Sequence, residues 1–512
     1  MLHENEYVMK KTGAEMMALY QLFQTTNAWY VFDAVTSKLI NIEEATHRFI
    51  KGENTDGKDK PEELVRLEAR GYLTGKSPVE QFRHPYMVVL NEVLTRKLAQ
   101  MTLQITQDCN FRCTYCIYSE TRNERQRSHS RKVMSWETAK QAVDFFWEHT
   151  IDSESVNIGF YGGEPLLQSA LVKRIMEYAK GRFAGKTLTF GMTCNGSLLT
   201  EENVCFLEEN NVSLLVSLDG PKSIQDQNRV FADGTGTYEI VMGRLANIKE
   251  KHPEYWEKIH YSMVIDPKND FDEINGICSS DAINPSQITA SLMDNDYDGT
   301  PLEFSEDYVW KEEYQRFLSF LSVWGRYPEE NCSPLTIRSI DRLRSEKEKI
   351  DFAVPLHTID TPSGPCVPGK LRLFVDVDGS LFPCERVSES SPNMHIGTLE
   401  SGFDLEKAGK ILQVGELTKN ACRNCWCFRF CDQCAKKADC CGEQLSAAER
   451  LRYCEDTRYA ARRTIQDIIL LSEAGEFYKE QLRIAEDEKC CKEQLRITKA
   501  GEQNEQSGTV SL

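Results

Sequence analysis

No run of eighteen apolar residues occurs in this chain of 512 residues, so no membrane-spanning helix is expected. Met1 to Phe23 mixes Glu, Lys and His with apolar residues and has no basic segment followed by an apolar one, so no signal peptide is expected. Positive charge is in deficit: 61 Lys and Arg stand against 79 Asp and Glu, a formal net charge of −18. That balance argues against a nucleic-acid partner, because phosphate binding needs clustered Lys and Arg. It suits a soluble enzyme with a neutral or basic partner. Cysteine is missing before Cys109, yet the whole chain has 19. They cluster at short spacings in a large chain that reads as cytoplasmic, where thiols stay reduced. Metal or cluster ligation is therefore expected in place of disulfides.

Four stretches are distinguishable. Residues 1–95 hold a strand at Trp29–Asp33, a turn at Ala34–Ser37, a returning strand at Lys38–Ile42, a helix at Glu43–Lys51 and another from Glu62 that stops at Gly71. This pattern fits a small winged-helix module. Residues 96–325 alternate apolar runs with helical patterns. The expected strands are Leu103–Thr106, Val156–Phe160, Thr187–Thr193, Leu214–Leu218, Ile259–Ile265 and Gln287–Leu292; the helices between them include Trp136–His149, Leu166–Arg182 and Tyr238–Glu250. Six such units imply a parallel α/β sheet, closed or partial as a (β/α)6 barrel, with active groups at the C-terminal strand ends. Residues 326–460 contain the cysteine-rich region. Residues 461–512 read as a charged, helical or disordered tail, with a short repeat at Lys479–Ile484 and Lys492–Ile497.

Cys109, Cys113 and Cys116 follow the first barrel strand in a C-x3-C-x2-C pattern. A [4Fe–4S] cluster normally takes four thiolates, so three leave one iron open to an outside ligand. Zinc is the competing reading. It would want a fourth local ligand, and the nearest histidine, His129, has no evident pairing.

This motif, with Tyr115 before its last cysteine, resembles the signature of the radical S-adenosylmethionine (SAM) superfamily. The resemblance implies that SAM chelates the open iron and is cleaved reductively to a 5′-deoxyadenosyl radical. Further motifs follow in the superfamily's order. Gly162-Gly163-Glu164-Pro165 ends the second strand; its glycines allow close backbone approach to a ligand, and the resemblance gives Glu164 the SAM amino group. Thr193 and Asn195 end the third strand, and Asn195 would reach ribose or methionine groups. Ser217 and Asp219 end the fourth. Ser217 and Arg229 would suit the SAM carboxylate, Arg229 by bidentate bonding. Cys194, Cys205 and Cys278 read as buried structural thiols.

The C-terminal cysteines support two metal centres by number, and zinc ribbons compete on spacing alone. A hairpin with an Asp-Gly turn over Phe374–Phe382 precedes Cys384. Together with the upstream motif the region resembles the SPASM domain, which carries two auxiliary [4Fe–4S] clusters, and so implies three clusters in all. Carried over, Cys422, Cys425, Cys431 and Cys454 hold an outer cluster, and Cys366, Cys384 and Cys434 an inner one. The chain departs from the pattern with two residues instead of three between Cys431 and Cys434. Residues 351–365 contain no cysteine, so the inner set lacks a fourth thiol nearby. Either that iron is open, or Cys332, Cys427, Cys440 or Cys441 completes it.

The N-terminal module resembles PqqD-like elements, which take a leader peptide as an added β-strand. The arrangement is similar to radical SAM/SPASM maturases of cysteine-rich peptides, of the ranthipeptide type. The resemblance implies a thioether-forming enzyme acting on a Cys-rich precursor peptide, with an electron donor such as flavodoxin or ferredoxin. In that mechanism a hydrogen leaves the acceptor carbon, a cluster-held Cys sulfur traps the carbon radical, and the cluster takes the surplus electron. An anaerobic sulfatase-maturating enzyme, which makes formylglycine from Cys or Ser, is the alternative. Asp376 and Asp378 would be its candidate bases, although their place beside Gly379 suits the turn. A non-catalytic zinc scaffold would explain the C-terminal cysteines but not the SAM-type motifs.

Overall fold

The computed structural model describes residues 19–53, 59–116, 129–293, 302–362, 364 and 366–473. The Lys479–Ile484 repeat and its copy lie outside these residues, as does most of the expected tail. No helix among the described residues is long and apolar enough to cross a membrane.

The chain opens with a three-stranded antiparallel meander, β1 (Tyr20–Gln24), β2 (Trp29–Asp33) and β3 (Lys38–Ile42). Helices α1 (Glu44–Ile50) and α2 (Glu62–Ala69) follow it. The sequence shows the β2–β3 hairpin through its alternating aromatic and aliphatic residues; β1 was not expected. A short strand, β4 (Gln81–Phe82), and helix α3 (Leu90–Arg96) lead into the main body.

There, β5 (Gln100–Thr106), β6 (Ser155–Gly162), β7 (Thr187–Cys194), β8 (Ser213–Ser217), β9 (His260–Ile265) and β10 (Ile288–Leu292) pair in sequence, each parallel to the next. Helices α4 (Trp136–Glu148), α5 (Ser169–Arg182), α6 (Glu201–Glu209), α7 (Lys222–Asn228) and α8 (Tyr238–Lys251) lie between the strands. Parallel strands need such crossovers, and the crossovers bury both faces of the sheet. Hence β5 is buried at every residue but its first. Side chains start the helices where the sequence supplies them: Ser135 caps α4 through the Thr138 N–H, and Thr200 caps α6 through the Asn203 N–H.

The six parallel strands match the six expected. The sheet does not close on itself. Four short strands extend it beyond β5 after β11 (Ile359–Asp360) has paired with β4: β12 (Leu373–Val375), β13 (Ser380–Phe382), β14 (Gly397–Thr398) and β15 (Gly402–Phe403). β12 lies parallel to β5, with Val375 opposite Leu103. The cysteine-rich region therefore grows out of the barrel sheet. Gly379 makes the β12–β13 turn at φ +89°, and Asp376 accepts the N–H groups of Asp378 and Ser380 at 3.0 and 2.8 Å. Asp378 pairs with Lys132 at 2.6 Å. Both aspartates serve the hairpin.

A second core joins the N-terminal sheet to the last described helix. Phe32 packs edge-on to Trp426 and Phe430, at 6.5 and 5.4 Å between ring centres. Ile465, Ile468 and Ile469 of the helix Cys454–Glu473 share this core with Tyr30 and Phe32. The boundary expected at residue 461 falls inside that helix, whose inner face is as buried as any in the barrel.

Candidate active site

Cys109, Cys113 and Cys116 lie in the loop that leaves the C-terminal end of β5. Backbone bonds pin this loop on two sides. On one side, Gly163 N–H donates to Thr106 O at 2.7 Å and Glu164 N–H to Asp108 O at 2.9 Å. On the other, Arg112 N–H donates to Val230 O at 2.7 Å, Thr114 N–H to Asn228 O at 2.9 Å and Ala232 N–H to Asn110 O at 3.0 Å. Phe111 stacks edge-on against Phe231 at 4.9 Å.

The glycines of the Gly162–Pro165 motif pack directly against the cysteine loop. A Cβ on Gly162 would stand 2.2 Å from Thr106 O, and one on Gly163 would stand 2.0 Å from Asp108 O. They admit the backbone of the cysteine loop itself. Pro165 then opens a short 3-10 turn that Glu164 caps through the Leu166 N–H.

Glu164 is fully buried. Its carboxylate accepts Leu166 N–H at 3.0 Å and Asn195 N–H at 2.7 Å. Burial pushes its pKa up to about 7, against the pull of those two N–H groups and of Arg229. The Asn195 side chain also turns toward the cysteine loop. It donates to Asn110 at 2.8 Å, lies 3.8 Å from the Cys109 sulfur and accepts from Ser197 N–H and Oγ at 3.0 and 2.7 Å. Asn195 thus holds the loop, which sequence reasoning did not foresee.

Tyr115, Asp219 and Arg229 form a buried set. Tyr115 donates its hydroxyl to Asp219, and Arg229 donates to that hydroxyl at 2.7 Å. Asp219 also accepts Val264 N–H at 3.1 Å, which ties the set to β9. The Nε–H of Arg229 is buried and has no hydrogen-bond partner among the described residues. Ser217, at the end of β8, and Thr193, on β7, are half-buried at neighbouring strand ends. The structure therefore gathers all the expected barrel residues at the C-terminal ends of β5 to β8.

Burial pushes the Cys109 thiol up to about 12 and Cys113 up to about 11; Glu164 adds to the first and Arg229 opposes the second. Among the described residues, only Glu201, Cys205 and His252 bring three Cys, His, Asp or Glu ligand atoms all within 4.8 Å of one another. A single tetrahedral zinc with Zn–S near 2.3 Å needs its sulfurs within about 4 Å of each other. Among the described residues, no three cysteine sulfurs lie within 4.8 Å of one another. The unpartnered Arg229 donor beside Cys113 suits an anionic ligand such as the carboxylate of SAM.

The C-terminal thiols fall into two groups. Cys422, Cys425, Cys431 and Cys454 influence one another electrostatically. Arg450, buried on the helix Ala447–Arg452, points Nη1 at Cys422 (3.7 Å) and Nη2 at Cys431 (4.0 Å), while Thr418 lies 3.2 Å from Cys422. Gln433 reaches Cys454 at 3.9 Å. Burial pushes the Cys431 thiol up to about 11, and the Arg450 guanidinium opposes that rise. Sequence reasoning missed Arg450, since one arginine in a helical segment carries no motif. In the second group Cys434 is influenced by Cys366, and Cys384 by Cys434.

Two of the four candidate completing cysteines stand elsewhere. Cys332 lies 3.7 Å from Leu318 O and 3.8 Å from Pro328 O. Cys427 is influenced by Cys425 and Cys431, on the outer side. Of the expected structural thiols, Cys194 is buried, whereas Cys205 and Cys278 are half-buried.

Residues 103–279 match the Radical SAM superfamily. The chain is 25% identical over 186 residues to the radical SAM cyclopropyl synthase TigE of Paramaledivibacter caminithermalis, covering 35% of this chain and 39% of that protein. It is 33% identical over 152 residues to the serine-type anaerobic sulfatase-maturating enzyme of Bacteroides thetaiotaomicron, covering 29% and 35%. Similarity to the cysteine-type anaerobic sulfatase-maturating enzyme of Clostridium perfringens is 23% over 367 residues, 68% of this chain and 90% of that one. The chain thus spans well under half the length of the first two relatives. The solved structure of native anSMEcpe with bound AdoMet superposes with a TM-score of 0.53 at 18% identity, over 72% of this chain and 99% of that one, and shares the fold.

Proposed function

We propose that this chain, which carries a radical SAM domain over residues 103–279, is a peptide maturase that forms thioether crosslinks from cysteines of a ribosomally made precursor. In that reading Cys109, Cys113 and Cys116 hold one [4Fe–4S] cluster. Cys422, Cys425, Cys431 and Cys454 hold a second, and Cys366, Cys384 and Cys434 a third. When bound, the first cluster and SAM supply one-electron reductive cleavage and hydrogen abstraction from carbon. The chain's own residues orient and enclose. Glu164 presents a buried carboxylate at the end of β6 to the SAM ammonium. Arg229 offers its unpartnered Nε–H to the SAM carboxylate, while Tyr115 and Asp219 hold the guanidinium in place.

One observation carries the choice of thioether formation. The inner group brings Cys366, Cys384 and Cys434 together, while Cys332 and Cys427 stand elsewhere, and in this reading neither Cys440 nor Cys441 is a ligand. Three protein thiolates leave room for a substrate thiolate, which a metal would hold deprotonated for bond formation. The β1–β3 sheet, packed on Trp426 and Phe430 beside the outer group, offers an edge for a leader peptide.

The alternative is formylglycine formation on a Cys or Ser. It is favoured by the cysteine-type sulfatase-maturating relative matched over 90% of its length. One experiment separates the two. Cluster-loaded enzyme, SAM and reductant are incubated anaerobically with a Cys-rich precursor peptide and, in parallel, a sulfatase-derived Cys peptide. Thioether formation removes two hydrogens per crosslink and leaves that Cys unable to react with iodoacetamide. An aldehyde on the sulfatase peptide alone overturns the thioether reading.

A further inference from the structure

We propose that Glu201, Cys205 and His252 form a binding site for a single zinc-type divalent ion on the outer helical layer, independent of the cluster thiols. Glu201 and Cys205 are four residues apart on α6 and so share one face of the helix. His252 follows the last residue of α8 and caps it. A Glu201 oxygen, the Cys205 sulfur and a His252 ring nitrogen all lie within 4.8 Å of one another.

The histidine is held as metal-bound histidines are held. Its Nδ1 is 2.5 Å from Glu208, three residues past Cys205 on the same helix, and its Nε2 is 3.3 Å from Glu201. A carboxylate at Nδ1 takes up that N–H and turns the Nε2 lone pair toward the other two ligands. His252 is 12% exposed and Glu201 49% exposed. The imidazole is therefore fixed, and the open side leaves a fourth position for water.

An ion-pair network is the plainer explanation for part of this cluster. Lys251 lies 3.1 Å from Glu201, and Asn247 donates to it at 3.3 Å. That network accounts for both glutamates and the histidine. It gives no reason for a thiol at the point where they converge. The donor set of one sulfur, one imidazole nitrogen and one carboxylate oxygen suits zinc, which takes all three and is satisfied with four ligands. Magnesium and calcium demand all-oxygen sets. On binding, the Cys205 proton passes to solvent, and the ion clips the end of α8 to α6.

The test uses cluster-loaded, full-length enzyme under anaerobic conditions. Zinc chloride is titrated while iodoacetamide labelling of Cys205 is followed by peptide mass spectrometry and cluster absorbance is monitored. Zinc should protect Cys205, and His252→Ala should abolish that protection. Glu208→Gln, acting only through Nδ1, should raise the half-protecting zinc concentration roughly 10- to 100-fold. Labelling that is unaffected by zinc up to the concentration that bleaches the clusters overturns the site. So does protection that survives His252→Ala. If Cys205 is unreactive without zinc, zinc content after dialysis decides: wild type must retain one zinc more than His252→Ala, and equal content overturns the proposal. None of these readouts depends on the peptide chemistry.

Discussion

The Asn195 backbone N–H donates to Glu164 at 2.7 Å, joining the ends of β6 and β7 directly beneath the cysteine loop. Burial holds the Glu164 pKa near 7 against an ordinary 4.5. Between those values the folded chain keeps a proton that the unfolded chain has released. Folding therefore weakens as pH rises through this window, by about 3 kcal/mol once it is passed. Glu164→Gln removes the charge and replaces one of the two accepting oxygens by an NH2 group. In metal-free protein the variant turns an NH2 toward one of the two backbone N–H donors but carries no titrating group there, so its melting temperature should change less than that of wild type between pH 5 and pH 8. In cluster-loaded protein it should weaken SAM binding by roughly tenfold or more, since a charge-assisted bond is lost. Calorimetry and equilibrium dialysis read the two effects, and a variant that binds SAM normally would remove Glu164 from the site.

Gly163→Ala tests the backbone contact under the cysteines. The added methyl meets Asp108 O at 2.0 Å, and backbone cannot swing aside as a side chain does. The loop after β5 must shift, which breaks the Glu164 N–H bond to Asp108 O. A loss of stability of roughly 1–3 kcal/mol is expected from overpacking. Iron analysis should show about four fewer irons per chain, the content of one cluster. Full iron content with unchanged melting would contradict the packing.

Arg450→Met tests the buried guanidinium between Cys422 and Cys431. Methionine fills much of the volume but leaves the thiolates without a counter-charge. Cluster loading at the outer group should fall by about four irons per chain, while the SAM-dependent perturbation of the Cys109 cluster persists in electron paramagnetic resonance. Arg450→Lys restores charge but not the forked geometry, and should load partially. Iron content equal to wild type in both variants would show that the outer group needs no cation.

The barrel was legible because parallel strands buried on both faces are rich in apolar residues, as Leu103 and Ile105, Val156, Ile158 and Phe160, and Leu214, Leu215, Val216 and Leu218 show. The active-site loops were legible because glycine, cysteine and a buried carboxylate recur at fixed places after successive strands. What each residue touches was not. Asn195 serves the cysteine loop, and Gly162 and Gly163 serve its backbone, because these are contacts between strand ends that lie far apart in sequence. Arg450 belongs to no motif at all. The helix that crosses the expected boundary at residue 461 is a different case, since Ala461, Ile465, Ile468 and Ile469 have the helical spacing of a buried stripe amid conspicuous charge.

That stripe makes the last prediction. Ile465, Ile468, Ile469 and Leu471 are buried with Tyr30 and Phe32, and Glu473 accepts from Tyr30 at 2.8 Å and Thr25 at 2.7 Å. Each aliphatic side chain contributes roughly 1.5–3 kcal/mol by burial. Together they approach the whole stability of an ordinary domain, about 5–15 kcal/mol. A chain ended after Ala460 should therefore lose the second core, expose Trp426 and Phe430, and aggregate. A chain ended after Glu473 should keep the wild-type melting temperature and iron content. Tyr30→Phe should cost only about 1 kcal/mol, because Thr25 still satisfies the Glu473 carboxylate. Melting curves and iron content of the three proteins check the series. A stable, iron-replete chain ending at Ala460 would mean that the N-terminal sheet and the cysteine-rich region hold together without the last helix.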